Sequence, residues 1–234
     1  MINCGVAGYN SWESLINLEF RVLDLEPDLI IVYHGTNDVH ARLAEPSCYR
    51  GDNSGRRKQW GGPLIVAWKH LSCLRVLLRG IGYCCNNIKL KDQIYLEHLV
   101  CKSDTMHHIY STQPKHEIGE ILKSNPPIYF QRNLRNIIAI AKEHEIDVLF
   151  ATWAYSPYFN DYASNLYYIQ GFEENNRVVR EVAATHDIYL LDFATIMPQE
   201  KKYWFDGRHV NEAGAKKKAE LFAEFIHNNK LITK

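Results

Sequence analysis

Several features are missing from this 234-residue chain, and each absence removes a class of protein. Neither sign of charge dominates, since Lys plus Arg and Asp plus Glu number 27 each. No global field therefore favours nucleic acid or a strongly acidic partner. The six cysteines contain no C-x-x-C pair, which excludes a zinc ribbon or a thioredoxin-type redox motif and leaves no clear disulfide framework. No apolar run approaches a membrane span, and there are no internal repeats or low-complexity tracts. Nothing in the residues calls for a metal or a cofactor.

One absence is local. From Asn53 to Lys91 there is no Asp or Glu, while Arg56, Arg57, Lys58, Lys69, Arg75, Arg79, Lys89 and Lys91 all fall there. Within this block, Pro63 to Tyr83 has helical spacing, with Leu64, Trp68, Leu71, Leu74, Leu78 and Ile81 on one stripe. It reads as a cap helix packed on the main domain. The basic 56–91 region also suits peripheral contact with an anionic membrane surface. The surrounding stretch, about 41–124, is too long for a simple connection and is expected to be a mainly helical insertion or lid.

What remains has an α/β rhythm. The first residues read as the end of a strand at Asn3, a turn with Gly5 and Gly8, and a helix from Trp12 to about Leu25 capped by Ser11. Leu29-Ile30-Ile31-Val32-Tyr33 is a continuous apolar run, the mark of a parallel strand covered on both faces. It leads into His34-Gly35-Thr36-Asn37-Asp38. After Pro126-Pro127 come a helix to about His144, a strand over Asp147–Trp153, a helix over Tyr162–Thr185, a strand over Ile188–Asp192 and a last helix beginning near Asn211. Such alternation predicts a parallel sheet between two helical layers. In such sheets ligands bind at the carboxyl ends of the strands, where the Asn37 loop falls.

The most informative stretch is Asp206-Gly207-Arg208-His209, which runs into the last helix with Asn211 as a natural N-cap. An Asp three residues before a His can accept a hydrogen bond from one ring nitrogen and leave the other outward as a base. Alone this is weak. Three blocks occur together, however: Asn3-x-Gly5-x-x-Gly8-x-x-Ser11, Gly35-Thr36-Asn37-Asp38 and Asp206-x-x-His209. In order and context they resemble the SGNH (GDSL-like) hydrolases over residues 1–40 and 126–229. The resemblance implies a three-layer, flavodoxin-like α/β/α domain spanning 1–234. It implies Gly8 and Asn37 as oxyanion donors, His209 as base, Asp206 as its orienter, and a small-molecule ester as substrate. It does not reach the insertion.

The match lacks one part. In that family a Ser nucleophile lies in a G-D-S-like block at the end of the first strand, and no G-D-S occurs here. Ser11, Ser47, Ser54 and Ser156 lie in other contexts. The expectation is therefore a fold lacking its first strand, with that strand and the nucleophile encoded upstream of Met1. Without it, the Leu29–Tyr33 strand should expose an apolar edge. The competing expectation is a binding or accessory domain that keeps the scaffold without turnover. Trp153, Tyr155, Tyr158 and Phe159, after the strand at 147–153, are candidates to line an apolar pocket.

Overall fold

The computed structural model describes residues 1–43, 46, 49–51 and 115–232, with the backbone alone for 115–119 and 162. The Pro63–Tyr83 helix, the basic 56–91 region, Ser47 and Ser54 lie outside the described residues. The chain divides into two units, Met1–Arg42 with Asn125–Lys234, and Leu43–Ser124. In the second unit the described regular element is the helix Lys115–Ser124.

The first unit is built on three parallel strands, Leu29–Tyr33 (β1), Asp147–Ala151 (β2) and Tyr189–Leu191 (β3), in the order β1-β2-β3 among the described residues. β2 is central. Four of its five residues are buried, and their alternation feeds two cores. Val148 and Phe150 join Ile30, Phe130, Leu134, Ile137, Ile138, Ala141, Val178, Val179 and Val182 on one face. Leu149 and Ala151 join Leu191, Phe193, Trp204 and Phe222 on the other. The first core is covered by the helices Ser11–Asn17 (α1), Ile128–Glu143 (α2) and Leu166–His186 (α3), the second by Phe193–Ile196 (α4) and Glu212–Asn228 (α5). Phe130, Leu134, Ile137, Ile138 and Ala141, which helical spacing places on one face of α2, are all buried.

The amino-terminal stretch departs from expectation. Residues 1–6 form no strand. The cap of α1 is Asn10, not Ser11: the Asn10 side chain accepts from the N–H groups of Trp12 and Glu13, and the Glu13 carboxylate accepts from Asn10 N–H at 2.8 Å. This reciprocal pair leaves Ser11 inside the helix. The α-helix also stops at Asn17, giving way to a π turn over Leu18–Val22 and a 3-10 turn over Leu23–Leu25. The widened turn keeps Leu18 buried and Leu15 and Val22 against the first core, while Leu25 is exposed.

The chain leaves the first unit at Arg42, the end of the short helix Thr36–Arg42, and returns at Asn125. These two residues clasp each other. Arg42 Nε donates to the Asn125 carbonyl at 2.9 Å, and Asn125 Nδ2 donates to the Arg42 carbonyl at 2.6 Å. The same guanidinium reaches α3, donating to Asn175 Oδ1 at 3.0 Å and pairing with the Glu174 carboxylate. The Arg42 side chain is 1 % exposed, so its charge is compensated by protein partners, these among them, and not by water. Arg42→Ala is expected to cost about 3 kcal/mol, the lower end for a broken buried pair because Glu174 is partly solvated. Arg42→Lys should recover little, since an ammonium cannot reproduce the planar fork. Urea unfolding of the two variants checks both.

Candidate active site

The carboxyl edge of the sheet carries two polar clusters. The first joins the Gly8 turn to the loop after β1. Gly8 has φ 84°, a conformation that favours glycine. Directly after it, the Tyr9 carbonyl accepts from Asn37 Nδ2 at 2.9 Å. A second bridge lies beside this one: Asp38 Oδ1 accepts from Ser11 N–H at 3.0 Å and from Ser11 Oγ at 2.6 Å. Asn133 Nδ2 of α2 donates to the same Ser11 hydroxyl at 3.1 Å. Ser11 and Asp38 are both buried. The loop bearing Gly8 and the turn bearing Asn37 are thereby held in register by a carboxylate at the helix's first N–H groups, where negative charge is favoured. His34 stands 3.6 Å from Asp38; burial lowers its basicity despite the opposing fields of Asp38 and Glu13.

The second cluster is the Asp206 loop. Its stem is closed by the Trp204–Val210 antiparallel bridge and by Phe205 N–H donating to the His209 carbonyl at 2.8 Å. Asp206 Oδ1 accepts from the N–H groups of Arg208 and His209, each at 2.7 Å, which leaves Oδ2 to meet His209 Nδ1 at 2.8 Å. Burial alone would raise the Asp206 carboxyl, but the bonds from the His209 ring and from these two amides outweigh it and hold it below the usual carboxylate range. The His209 side chain is 65 % exposed, so with Nδ1 engaged the Nε2 edge is presented outward. Asn211 caps α5 by accepting from Gly214 N–H at 3.0 Å, as its residue type predicted.

Asp161, in the loop after β2, fastens this cluster from below, and the sequence held no signal for it. Its Oδ2 accepts from Gly207 N–H at 3.0 Å and from Arg208 Nε at 3.3 Å. Ser156 completes the join, accepting nothing from the dyad but donating its N–H to the Gly207 carbonyl at 2.9 Å. Its hydroxyl donates to the Gln199 carbonyl at 2.6 Å. A Cβ on Gly207 would lie 2.4 Å from Asp161 Oδ1 and 2.5 Å from Ala163 Cβ, so the close approach requires glycine.

All four candidate residues thus lie at the sheet's carboxyl edge, in two pairs: Gly8 with Asn37, and Asp206 with His209. Among the described serines, Ser11 and Ser156 are buried and committed to other partners. Of the candidate pocket aromatics, Trp153 stacks on Tyr33 with ring centroids 4.7 Å apart, Tyr155 packs on Phe172, and Phe159 joins the second core. Tyr158 is exposed, as is Phe205 immediately before Asp206.

Two consequences are measurable. Gly207→Ala should cost about 1–3 kcal/mol through overpacking and displace the loop, so the downfield proton resonance of the His209–Asp206 bond should vanish while the fold persists. Because the Asp206 carboxyl is depressed, its contribution to stability is fully present above the ordinary carboxylate pKa and is lost as pH falls through its lowered value. The difference in urea midpoint between wild type and Asp206→Asn should therefore be constant above about pH 5 and shrink below it.

The fold that carries these residues is shared with solved structures. A GDSL-like lipase from Bacteroides thetaiotaomicron superposes with a TM-score of 0.51 at 14 % identity, over 96 % of this chain and 74 % of its own. A candidate acylhydrolase from Bacteroides fragilis gives 0.51 at 15 %, over 97 % and 74 %. No curated protein sequence matches the chain. The profile of the GDSL-like lipase/acylhydrolase family matches residues 1–217, and the chain belongs to that family.

Proposed function

We propose that this member of the family hydrolyses acyl esters through His209, and that its nucleophile is a serine on a segment preceding Met1. The observation that carries the reading is the Asp206 carboxylate at 2.8 Å from His209 Nδ1, with its second oxygen held by two backbone amides. That geometry fixes the ring tautomer and stabilises the imidazolium that forms when Nε2 takes a proton.

In the proposed cycle His209 Nε2 accepts the serine proton as the serine oxygen attacks the ester carbonyl carbon. The Gly8 N–H and the Asn37 amide donate to the resulting oxyanion. His209 then returns the proton to the departing alcohol as the carbon–oxygen bond breaks. Water repeats the sequence on the acyl-enzyme and releases the acid. Substrates in keeping with the family are lipid, small acyl or acetylated carbohydrate esters. The exposed Phe205, adjacent in sequence to Asp206, favours an apolar acyl group.

A second reading rests on Ser11 and Ser156 being buried and hydrogen-bonded elsewhere. If no serine is supplied, the domain binds without turnover. The experiment compares this 234-residue protein with the same protein extended through the in-frame upstream codons. The extended form should hydrolyse p-nitrophenyl acetate, and His209→Ala should reduce kcat/KM by about 10⁴-fold or more. Asn37→Ala should reduce it by about 10²–10³-fold. A folded extended protein inert toward a broad ester panel overturns the hydrolase reading, and ligand-induced thermal stabilisation would then support the binding domain.

A further inference from the structure

Lys218 projects from the second turn of α5 toward the end of β1, and rings rather than carboxylates receive it. Nζ stands 3.8 Å from the Tyr33 ring centroid and 5.8 Å from those of Phe193 and Phe222. The three rings also hold one another. Phe193 and Phe222 each meet Tyr33 edge-on, with centroids 5.5 and 6.4 Å away, and lie 5.2 Å from each other. This cage takes one wall from β1, one from α4 and one from α5 itself.

No compensating charge accompanies the rings. The adjacent Lys217 has Glu220 at 3.8 Å, whereas no carboxylate among the described residues pairs with Lys218. Burial holds the Tyr33 phenol protonated well above its usual range, so that group supplies no charge either. An ammonium gains some attraction from a ring face, but rings replace the hydrogen bonds of water poorly. Desolvation therefore wins, and burial pushes the ammonium down to about 8.

The amine is not sealed from solvent. Lys218 is half-buried, and Ala215 and Ala219 beside it on the helix are exposed. Ile31, which alternation places next to Tyr33 on the same face of β1, is 37 % exposed.

We propose that Lys218 is an acyl-acceptor site, a caged amine that takes an acyl group from activated esters or thioesters and keeps it as an amide. The neutral Nζ lone pair attacks the acyl carbon, and the bond from that carbon to the leaving oxygen or sulfur breaks with its electron pair. The surplus proton on nitrogen passes to water. Acylation removes the charge from the aromatic cluster at the strand end that leads into the Asn37 loop. The step uses neither His209 nor an upstream serine, so it stands apart from the hydrolytic reading.

Exposure of the 234-residue protein to p-nitrophenyl acetate, followed by peptide mass spectrometry, tests it. At pH 8 roughly half of such an amine is neutral, against less than about 1 % of an ordinary lysine. Acetylation of Lys218 should therefore outpace that of Lys216 and Lys217, on the same helix, by about 10-fold or more, because the larger neutral fraction outweighs the weaker basicity. The rate should rise with pH through about 8 and level off above it. In urea, where the cage is gone, the excess should disappear. Equal labelling of the three lysines, or an excess that survives unfolding, overturns the proposal. So does a Lys218 rate still climbing in proportion to hydroxide at about pH 9.5, which is the behaviour of a solvated amine.

Discussion

The arrangement depends on β2 being covered on both faces. Val148 and Phe150 enter one core and Leu149 and Ala151 the other, so this single strand fixes both helical layers relative to the sheet. The loop leaving its carboxyl end inherits that rigidity and delivers Asp161 and Ser156 beneath the Asp206 turn. The Trp153 ring in the same loop stacks on Tyr33 of β1, and Tyr33 Oη in turn accepts from Ala154 N–H at 3.3 Å. The polar groups at the edge are held by bonds whose roots lie in packed hydrocarbon.

Burial and exposure divide the polar groups by task. Asp38 is buried and holds the amide and hydroxyl of Ser11, an architectural use, with His34 3.6 Å away. Asp206 is partly exposed and spends one oxygen on backbone amides and the other on His209. A carboxylate satisfied in this way stays ionised across ordinary pH, and the ring it holds keeps an outward nitrogen in contact with solvent. Two aspartates of one chain thus serve different ends because of which donors surround them.

Much of this was legible in advance where the signal is local. The apolar runs at 29–33 and 148–151 predict strands, and the spacing of Asp206, His209 and Asn211 predicts a dyad at a helix entrance; the run at 148–151 is buried on both faces, whereas in 29–33, expected to be covered likewise, only Ile30 is buried and Ile31 is exposed. The errors arose where distant residues decide. Ser11 and Asn10 are both capping types, and the choice fell to Asn10 because Asp38, 27 positions away, takes the Ser11 amide and hydroxyl. A strand ending at Asn3 requires a neighbour to pair with, and none of the described strands offers one there. Asp161 carries no motif; it matters only because the fold brings it under Gly207, 46 positions later.

The reciprocal bonds between Arg42 and Asn125 have a meaning beyond stability. They close the chain on itself at the points where 82 residues leave and return, Leu43–Ser124, so the main unit senses a fixed separation between those two ends whatever joins them. The ends that an 82-residue excursion must bring together are fixed by the main unit's own bonds, so the entropy of closing that loop is met at two side chains and not by the sheet.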